Sequence, residues 1–321
     1  MRALNTMLIA VALTAAANAT AQNYPTRSIR IIVVSTPGGS VDTMARTVGP
    51  KLAERWGQQV LVDNRPGAGG AIAAELVAKA PPDGYTLIMG TVASFATNVS
   101  LRKSLPYDPV KDFAPISLVA TQNLMLLVHP SIPSKSVKDL VALAKKQPGK
   151  LSFASAGNGT GGHLSGELFK MLANVDLLHV PYKGVQPALI DVVSGQVSMT
   201  FASIISAMPQ VKNNRLRPLA VTGAQRSPAA KELPTMIEAG VKGYESATWY
   251  GLLAPAGTPA DIVNKLNTEV VAILKSPEMN ERLSREGADP VGNSPTEFAK
   301  YIQAEIEKWR KVIRAAGIAP S

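Results

Sequence analysis

The sequence of 321 residues contains no cysteine, only three histidines and few aromatic side chains, 5% of the total. The missing cysteines exclude disulfides, thiolate metal sites and a cysteine nucleophile, and a chain of this length can be stabilised by its core alone. Despite the net charge of +10, the basic residues are scattered and not interleaved with aromatic ones, so a nucleic-acid site is not expected. The positive net charge still predicts a mild attraction for anions.

Long apolar runs are also scarce, apart from one at the N-terminus. Arg2 precedes an apolar stretch from Met7 to Ala17, and Ala19-Thr20-Ala21 fits an A-x-A cleavage site. The stretch is shorter than the ~20 residues that span a bilayer. These features predict a signal peptide over residues 1–21 and a mature protein exported to the periplasm. The alternative is a retained membrane anchor.

Short apolar runs alternate with helical patterns along the rest of the chain, which indicates an α/β fold with parallel sheets covered on both faces. Predicted crossovers near 116–123 and 244–251 divide the chain into one lobe of residues 22–118 and 248–321 and a second lobe of residues 119–247. Two crossings make a hinge, and a cleft between such lobes is a natural ligand site.

The helices have recognisable apolar faces and ends. We expect Ile72, Leu76 and Val77 to face inward on the second helix. The helix after residue 160 is expected to bury Leu164, Leu168, Met171 and Leu172. Thr258 is predicted to cap a helix, and Ser294 to Glu297 reads as a capping box.

Three glycine-rich segments come after a strand and before a helix: "TPGGS" (36–40), "GAGG" (67–70) and "GNGTGG" (157–162). Ligands bind at such positions in open α/β sheets. A helix start offers backbone N–H groups without partners and a partial positive charge, and glycine lets a ligand approach closely. Three such loops favour an anion site, although each loop alone can be a tight turn.

Other chemistries are less well supported by the residues. "GNGTGG" matches a dinucleotide fingerprint, but Lys183, not an acid, ends the following strand, so an exported dinucleotide-dependent oxidoreductase is the alternative function. No G-x-S-x-G or H-E-x-x-H motif occurs. We expect His129 and His179 to be structural, and Asp42 to be a helix cap and not a base. His163 either donates to a ligand or bonds its own loop.

The chain resembles the extracytoplasmic solute receptors of tripartite tricarboxylate transporters, also called Bug receptors. The resemblance rests on eight stretches in order, which extend over essentially the whole mature chain: "YPTRSIRIIVVSTPGGSVDTMAR", "VDNRPGAGGAIAAE", "PPDGYTLIMG", "LPYDPVKDFAPIS", "HVPYKGVQPALIDVVSGQV", "LRPLAVTG", "LPTMIEAG" and "WYGLLAPAGTP". It implies a two-lobed class II periplasmic binding protein that closes on a small organic acid. Such a receptor has no catalytic residues, metal or cofactor, and it delivers its ligand to membrane transporter subunits. We expect a monomer; a stand-alone sensor or scavenger is a further possibility.

Carried onto this sequence, the resemblance places ligand-binding residues in both lobes. The first lobe contributes Thr36, Pro37, Gly38, Gly39, Ser40, Asp42, Gly67, Ala68, Gly69, Gly70 and Thr91. The second contributes Ser155, Gly157, Gly159, Thr160, His163, Tyr182, Lys183, Gly184, Ala202 and Ser203. The family often has an aspartate where this chain has Ala202, and a bulky apolar or proline-rich stretch where it has Val34-Ser35-Thr36. A buried ammonium group needs a carboxylate partner or comparable acceptors, so the ligand is predicted to be a mono- or dicarboxylate without an amine.

Overall fold

A computed structural model describes residues 24–285 and 287–320. Its ten strands are β1 (Ile29–Val33), β2 (Val60–Asn64), β3 (Thr86–Thr91), β4 (Phe113–Val128), β5 (Ser152–Ser155), β6 (Leu178–Pro181), β7 (Met199–Ser203), β8 (Arg217–Val221), β9 (Ala247–Pro255) and β10 (Ala288–Pro290). The predicted signal peptide lies outside the described residues. In the ranges that are described, no helix is both long and apolar enough to cross a membrane.

The α-helices surround these strands. They are α1 (Ser40–Trp56), α2 (Ala71–Ala78), α3 (Asn98–Leu101), α4 (Val137–Lys146), α5 (Gly161–Ala173), α6 (Val185–Val193), α7 (Ile204–Lys212), α8 (Ala260–Leu274), α9 (Pro277–Arg285) and α10 (Pro295–Ala315). A 3-10 turn (Ala68–Gly70) precedes α2, a π-helical turn (Ala93–Thr97) precedes α3, and a further 3-10 turn spans Pro228–Ala230.

The strands form one continuous path in the order β2-β1-β3-β9-β4-β7-β5-β6, with β8 and β10 also paired to β4. The long strand β4 joins two groups of strands. Its first part pairs antiparallel with β9, with Thr121 opposite Trp249, and its last residues pair with β7 and β8. Both predicted crossovers fall in this β4–β9 pair. The lobe boundaries drawn from the sequence remain a prediction.

Parallel pairing brings strand ends of both groups to common edges. β1 pairs in parallel with β2 and β3, and β5 pairs in parallel with β6 and β7. Loops that follow neighbouring parallel strands therefore emerge side by side, which is how residues distant in the sequence reach one site.

Most predicted core faces are buried. On α10, five apolar residues that recur at helical spacing are buried: Phe298, Ile302, Ile306, Trp309 and Ile313. Those of α8 are buried too: Ile262, Leu266, Val270, Ile273 and Leu274. The capping box at Ser294 is confirmed, with reciprocal bonds between Ser294 and Glu297.

Three inward predictions are wrong. Ile72 is 52% exposed because it lies over the preceding loop, with its Cδ1 atom 2.8 Å from where a Cβ at Gly67 would stand. Met171 and Leu172 are 41% and 37% exposed, in the last turn of α5, where only part of the helix circumference faces the sheet.

The predicted cap of α8 is also wrong. The N-cap position is Pro259, and Thr258 instead donates its hydroxyl to the carbonyl of Pro255 at 2.8 Å. The hydroxyl thus stabilises the turn between β9 and α8 and not the helix start.

Candidate functional site

Three glycine-rich loops follow the carboxyl ends of β1, β2 and β5, as the sequence predicts. We call them the first loop (residues 36–40), the second loop (67–70) and the third loop (155–160). Gly38, Gly69 and Gly159 have φ angles of 79°, 62° and 77°. Glycine adopts these left-handed conformations without steric cost, so each loop turns tightly into its helix.

The helices that begin at these loops lack a side-chain cap. Among the described residues, the N-cap positions of α1, α2 and α5 are Gly39, Gly70 and Thr160, and none of them makes a capping side-chain hydrogen bond. By contrast, Ser136 and Ser294 cap α4 and α10 with their hydroxyls. At α2 the first N–H, that of Ala71, donates to the carbonyl of Ala68 in the preceding 3-10 turn. In the described part of the chain, no side chain caps the other first-turn N–H groups, and the helix dipole favours an anion as their acceptor.

Asp42 shapes the first loop from within α1. Its buried carboxylate accepts hydrogen bonds from the N–H of Gly38, Nε of Arg46 and Nδ2 of Asn64, all at 2.9 Å. Burial acts to raise the pKa of Asp42, but these donors outweigh it and hold the pKa below the ordinary 3.8. The carboxylate is therefore engaged by the loop and its neighbours. The predicted capping role is wrong, because the N-cap of α1 is Gly39 and no side chain among the described residues caps the helix.

The first and second loops lie side by side because β1 and β2 are neighbours. Asn64 ends β2, and its Nδ2 donates to the carbonyl of Ser35 at 3.0 Å. A Cβ added at Gly70 would stand 3.0 Å from the Cβ of Val34, so a larger residue there would push the two loops apart.

A single turn ties the second loop to the third. Nδ2 of Asn98 donates to the carbonyl of Gly69 at 3.1 Å, and the hydroxyl of the preceding residue, Thr97, donates to the carbonyl of Gly159 at 3.1 Å. Sequence reasoning missed both residues. No sequence signal marks them, because their partners lie 29 and 62 positions away.

Tyr250 of β9 lies between the first and third loops. Its buried hydroxyl donates to Oε1 of Gln122. Burial raises the pKa of Tyr250, and the side chains of Ser40 and Thr248 oppose that rise. A Cβ at Gly161 would stand 3.3 Å from the Cβ of Thr248. The starts of α1 and α5 thus meet across β9. Sequence reasoning missed Gln122, Thr248 and Tyr250, and their position as polar residues inside the predicted crossovers is the signal that could have found them.

Two histidines support the third loop. Nδ1 of His163 accepts the N–H of Gly159 at 3.0 Å, and Nε2 of His179 is hydrogen-bonded to the hydroxyl of Ser155 at 2.7 Å. The two rings stack with centroids 4.1 Å apart. Burial lowers the pKa of His163 to about 4, with a contribution from Lys170. Of the two roles considered for His163, the structure shows the bond to its own loop.

The residues predicted after β6 lie at its end but point in different directions. Tyr182 donates its hydroxyl to Oδ2 of Asp191 at 2.5 Å, and burial together with that carboxylate raises the pKa of Tyr182 to about 12. Lys183 is exposed, and Gly184 is the uncapped N-cap of α6. A dinucleotide ribose requires an acid at this strand end, and Lys183 does not supply one.

The remaining predicted ligand-binding residues, Ala202, Ser203 and Thr91, are less accessible to a ligand than the loops. Ala202 is 2% exposed and packs in an apolar cluster with Met125 and Ile204. Ser203 caps α7 by accepting the N–H of Ser206. Thr91 ends β3 opposite Tyr250, and its N–H donates to the hydroxyl of Ser94. We therefore regard Ala202 and Ser203 as weaker candidates for ligand contact than the loops.

The three loops offer hydrogen-bond donors. Backbone N–H groups lie at the starts of α1, α2 and α5, and such groups can bind and orient an anion. Within residues 24–285 and 287–320, no group of three or more histidine, aspartate and glutamate side chains is arranged to hold a metal ion.

Known proteins resemble this chain over nearly its whole length. The family model for the tripartite tricarboxylate transporter family receptor matches residues 44–318. Protein BugT of Bordetella pertussis is 35% identical over 94% of this chain and 93% of its own length.

Solved structures agree with the sequence relatives. Rpa4515 of R. palustris, solved with adipate, has a TM-score of 0.88 and 43% identity, covering 93% of this chain and 100% of its own. MatC of Rhodopseudomonas palustris, solved with bound malate, has a TM-score of 0.81 and 34% identity, covering 90% and 100%.

These likenesses agree with the fold. The two-lobed periplasmic-binding-protein fold predicted from the sequence is confirmed, and the oxidoreductase alternative gains no support. The chain therefore belongs to the tripartite tricarboxylate transporter receptor family, a family of solute-binding receptors and not of enzymes.

Proposed function

We propose that this protein captures a small organic carboxylate without an amine between its two lobes in the periplasm and delivers it to membrane subunits of a tripartite tricarboxylate-type transporter. The lobes are residues 22–118 with 248–321, and residues 119–247. Export through a signal peptide over residues 1–21 and a monomeric state are parts of the same proposal.

The observation that carries the proposal is the meeting of uncapped helix starts from both lobes. α1 and α2 begin at Gly39 and Gly70 in the first lobe, and α5 begins after Thr160 in the second. A carboxylate accepts several hydrogen bonds at once, and charge-assisted bonds from backbone N–H groups are about twice as strong as neutral ones. A dicarboxylate can therefore bridge the two lobes with one carboxylate at each.

The lack of an available carboxylate partner at Asp42 and Ala202 argues against an amine in the ligand. Asp42 already accepts from Gly38, Arg46 and Asn64, and Ala202 supplies no charge. A buried ammonium group would be left without an acid partner. Adipate and malate, the acids bound in two of the similar structures, are dicarboxylates without an amine.

An apolar side chain beside the second loop favours a ligand that has a hydrocarbon segment. Ile72 is 52% exposed and lies against Gly67. A ligand with a hydrocarbon body next to its carboxylate would cover this side chain and remove apolar surface from water, worth ~25 cal/mol per Å². We therefore favour an acid with an apolar segment over a uniformly polar one.

Three experiments test the proposal. Native mass spectrometry should identify an organic acid released from the purified protein, and calorimetric titration of the stripped protein should show saturable binding of adipate or malate. Recovery of an amino acid or a nucleotide as the bound molecule would contradict the ligand class. Uptake of the identified acid by cells with and without the gene then separates a transport receptor from a stand-alone sensor or scavenger, because only the former changes uptake.

A further inference from the structure

The peptide groups on either side of Gly159 are held from opposite directions. The N–H of Gly159 donates to Nδ1 of His163 at 3.0 Å, inside the second lobe. Its carbonyl accepts the hydroxyl of Thr97 at 3.1 Å, and Thr97 belongs to the first lobe as we propose it. Both side chains are buried. Gly159 is thus a point at which the two lobes are hydrogen-bonded to each other through the third loop.

The approach at this point leaves no room for a side chain. A Cβ at Gly159 would stand 2.5 Å from Cδ1 of Leu101 and 3.2 Å from the hydroxyl oxygen of Thr97. The φ angle of 77° also favours glycine. The turn that carries Thr97 and Leu101 therefore packs directly on the backbone of the third loop.

The bond to His163 fixes the protonation of that imidazole. An Nδ1 atom that accepts an N–H carries no proton, so neutral His163 carries its proton on Nε2. Nε2 lies 3.9 Å from Oε1 of the buried Glu167, whose other oxygen is 3.0 Å from Nζ of Lys170. A protonated His163 would need its Nδ1 as a donor and would lose the bond from Gly159.

The charged surroundings of His163 are few. The groups that face it are Glu167 and Lys170 on α5 and the stacked ring of His179 on β6. A cavity of about 280 Å³ adjoins the ring, and its other lining residues carry no charge: Leu101, Asn158, Ala316, Ile318 and Ala319. The C-terminal segment after α10 thus covers the histidine with apolar groups.

We propose that Thr97 and His163 are positioning residues that clamp the Gly159 peptide and so couple closure of the lobes to the ligand-receiving form of the third loop. This inference rests on the proposed receptor function. The Thr97 bond forms only when the lobes are together, so it stabilises the closed state, and a ligand that selects this state binds more tightly because of it. His163 holds the same peptide so that the loop presents its N–H groups to the cleft.

Paired variants separate the clamp from general stability. Thr97→Val keeps the shape but removes the hydroxyl, whereas Thr97→Ser keeps the hydroxyl. His163→Leu removes the acceptor, whereas His163→Asn places an amide oxygen near the position of Nδ1. Hydrogen exchange over residues 155–160 should be faster in His163→Leu than in His163→Asn in the free protein, and faster in Thr97→Val than in Thr97→Ser in protein saturated with adipate, where the lobes are together. Equal exchange within both pairs would overturn the clamp.

Titration with adipate and malate tests the coupling to ligand. Loss of one buried neutral hydrogen bond is worth about a fivefold to tenfold weaker affinity, so Thr97→Val should lose this much and Thr97→Ser should recover it. Wild-type affinity should fall as the pH falls toward 4, and this fall should be shallower in His163→Asn. If Thr97→Val binds as tightly as wild type, or if the two pH profiles coincide, the coupling is wrong. If exchange shows the clamp but no organic acid binds, the proposed function fails while the clamp stands.

Discussion

The hydroxyl of Tyr250 in β9 donates to Oε1 of Gln122 in β4. Tyr250 is buried, and the side chains of Ser40, the first residue of α1, and Thr248 act on the same hydroxyl, since they oppose the rise in its pKa that burial causes. The two crossover strands are therefore joined beside the start of the helix that follows the first loop.

Tyr250→Phe should destabilise the protein and weaken carboxylate binding. The change removes the buried hydrogen bond to Gln122, which costs ~1–3 kcal/mol, and it removes a hydroxyl beside the start of α1. Denaturant unfolding and titration with adipate measure the two effects. Tyr24→Phe is the matched control, since Tyr24 is also buried but donates to Gly84, away from the glycine loops. An effect on affinity no larger than that of the control would contradict this role for Tyr250.

Substitutions at Gly39 and Gly159 should have different effects on stability and on ligand binding. Gly39 has a φ of −77°, and a Cβ there meets Ser35 and Thr36 at 3.3 and 3.4 Å. Gly39→Ala should therefore fold normally, and Gly39→Val should weaken ligand binding far more than stability. Gly159→Val should lower both, because the added atoms collide with Leu101. Thermal melting beside calorimetric titration distinguishes them; normal binding by folded Gly39→Val would remove the first loop from the site.

Ala202→Asp should unfold the protein or destabilise it by ~3 kcal/mol or more, because it places a carboxylate in an apolar cluster without a partner. Burial in this cluster makes a loss of stability, and not a selective loss of carboxylate binding, the expected effect. Ala224→Asp, at an exposed position, is the control. Wild-type stability in Ala202→Asp would show that the side chain reaches solvent in the cleft.

Stability should rise with pH between about 3 and the ordinary histidine pKa of 6.5. Burial lowers the pKa of His163 to about 4 and that of His179 to about 3, with smaller contributions from nearby cations. Between the folded and unfolded values the unfolded chain binds more protons, so acid favours unfolding by up to ~1.4 kcal/mol per pH unit for each proton.

Unfolding curves at pH 4.5, 5.5 and 6.5 check this histidine contribution. The double variant His163→Asn, His179→Gln should lose part of the slope, and His129→Gln, which changes a histidine outside the stack, should not. A slope unchanged in the double variant would mean that other groups account for the acid sensitivity.

Periodicity and capping signals in the sequence predicted the regular elements well, because they act within a few residues. The apolar stripe of α10 and the box at Ser294 are examples. Errors arose at Ile72 and Met171, where the pattern cannot tell which part of an apolar face a neighbour covers. The loops were predictable because strand, glycine and helix follow each other directly.

The connections between the loops could not be predicted in the same way. The bonds of Asn98 to Gly69 and of Thr97 to Gly159 depend on how separate elements are placed in space. His163 had two reasonable roles in the sequence, and only the position of the Gly159 N–H selected one. Long-range polar contacts have no local period, so single-sequence patterns carry little information about them.

A thermal-shift comparison of matched acids tests the central claim most directly. Succinate and aspartate, and likewise glutarate and glutamate, differ only by an ammonium group, and a ligand that binds only the native state raises the melting temperature with concentration. Adipate and malate are screened beside these two pairs. We expect at least one of the unaminated acids to raise the melting temperature progressively with concentration, and we expect neither aspartate nor glutamate to do so. Stabilisation by aspartate or glutamate, with none by any unaminated acid, would contradict the account.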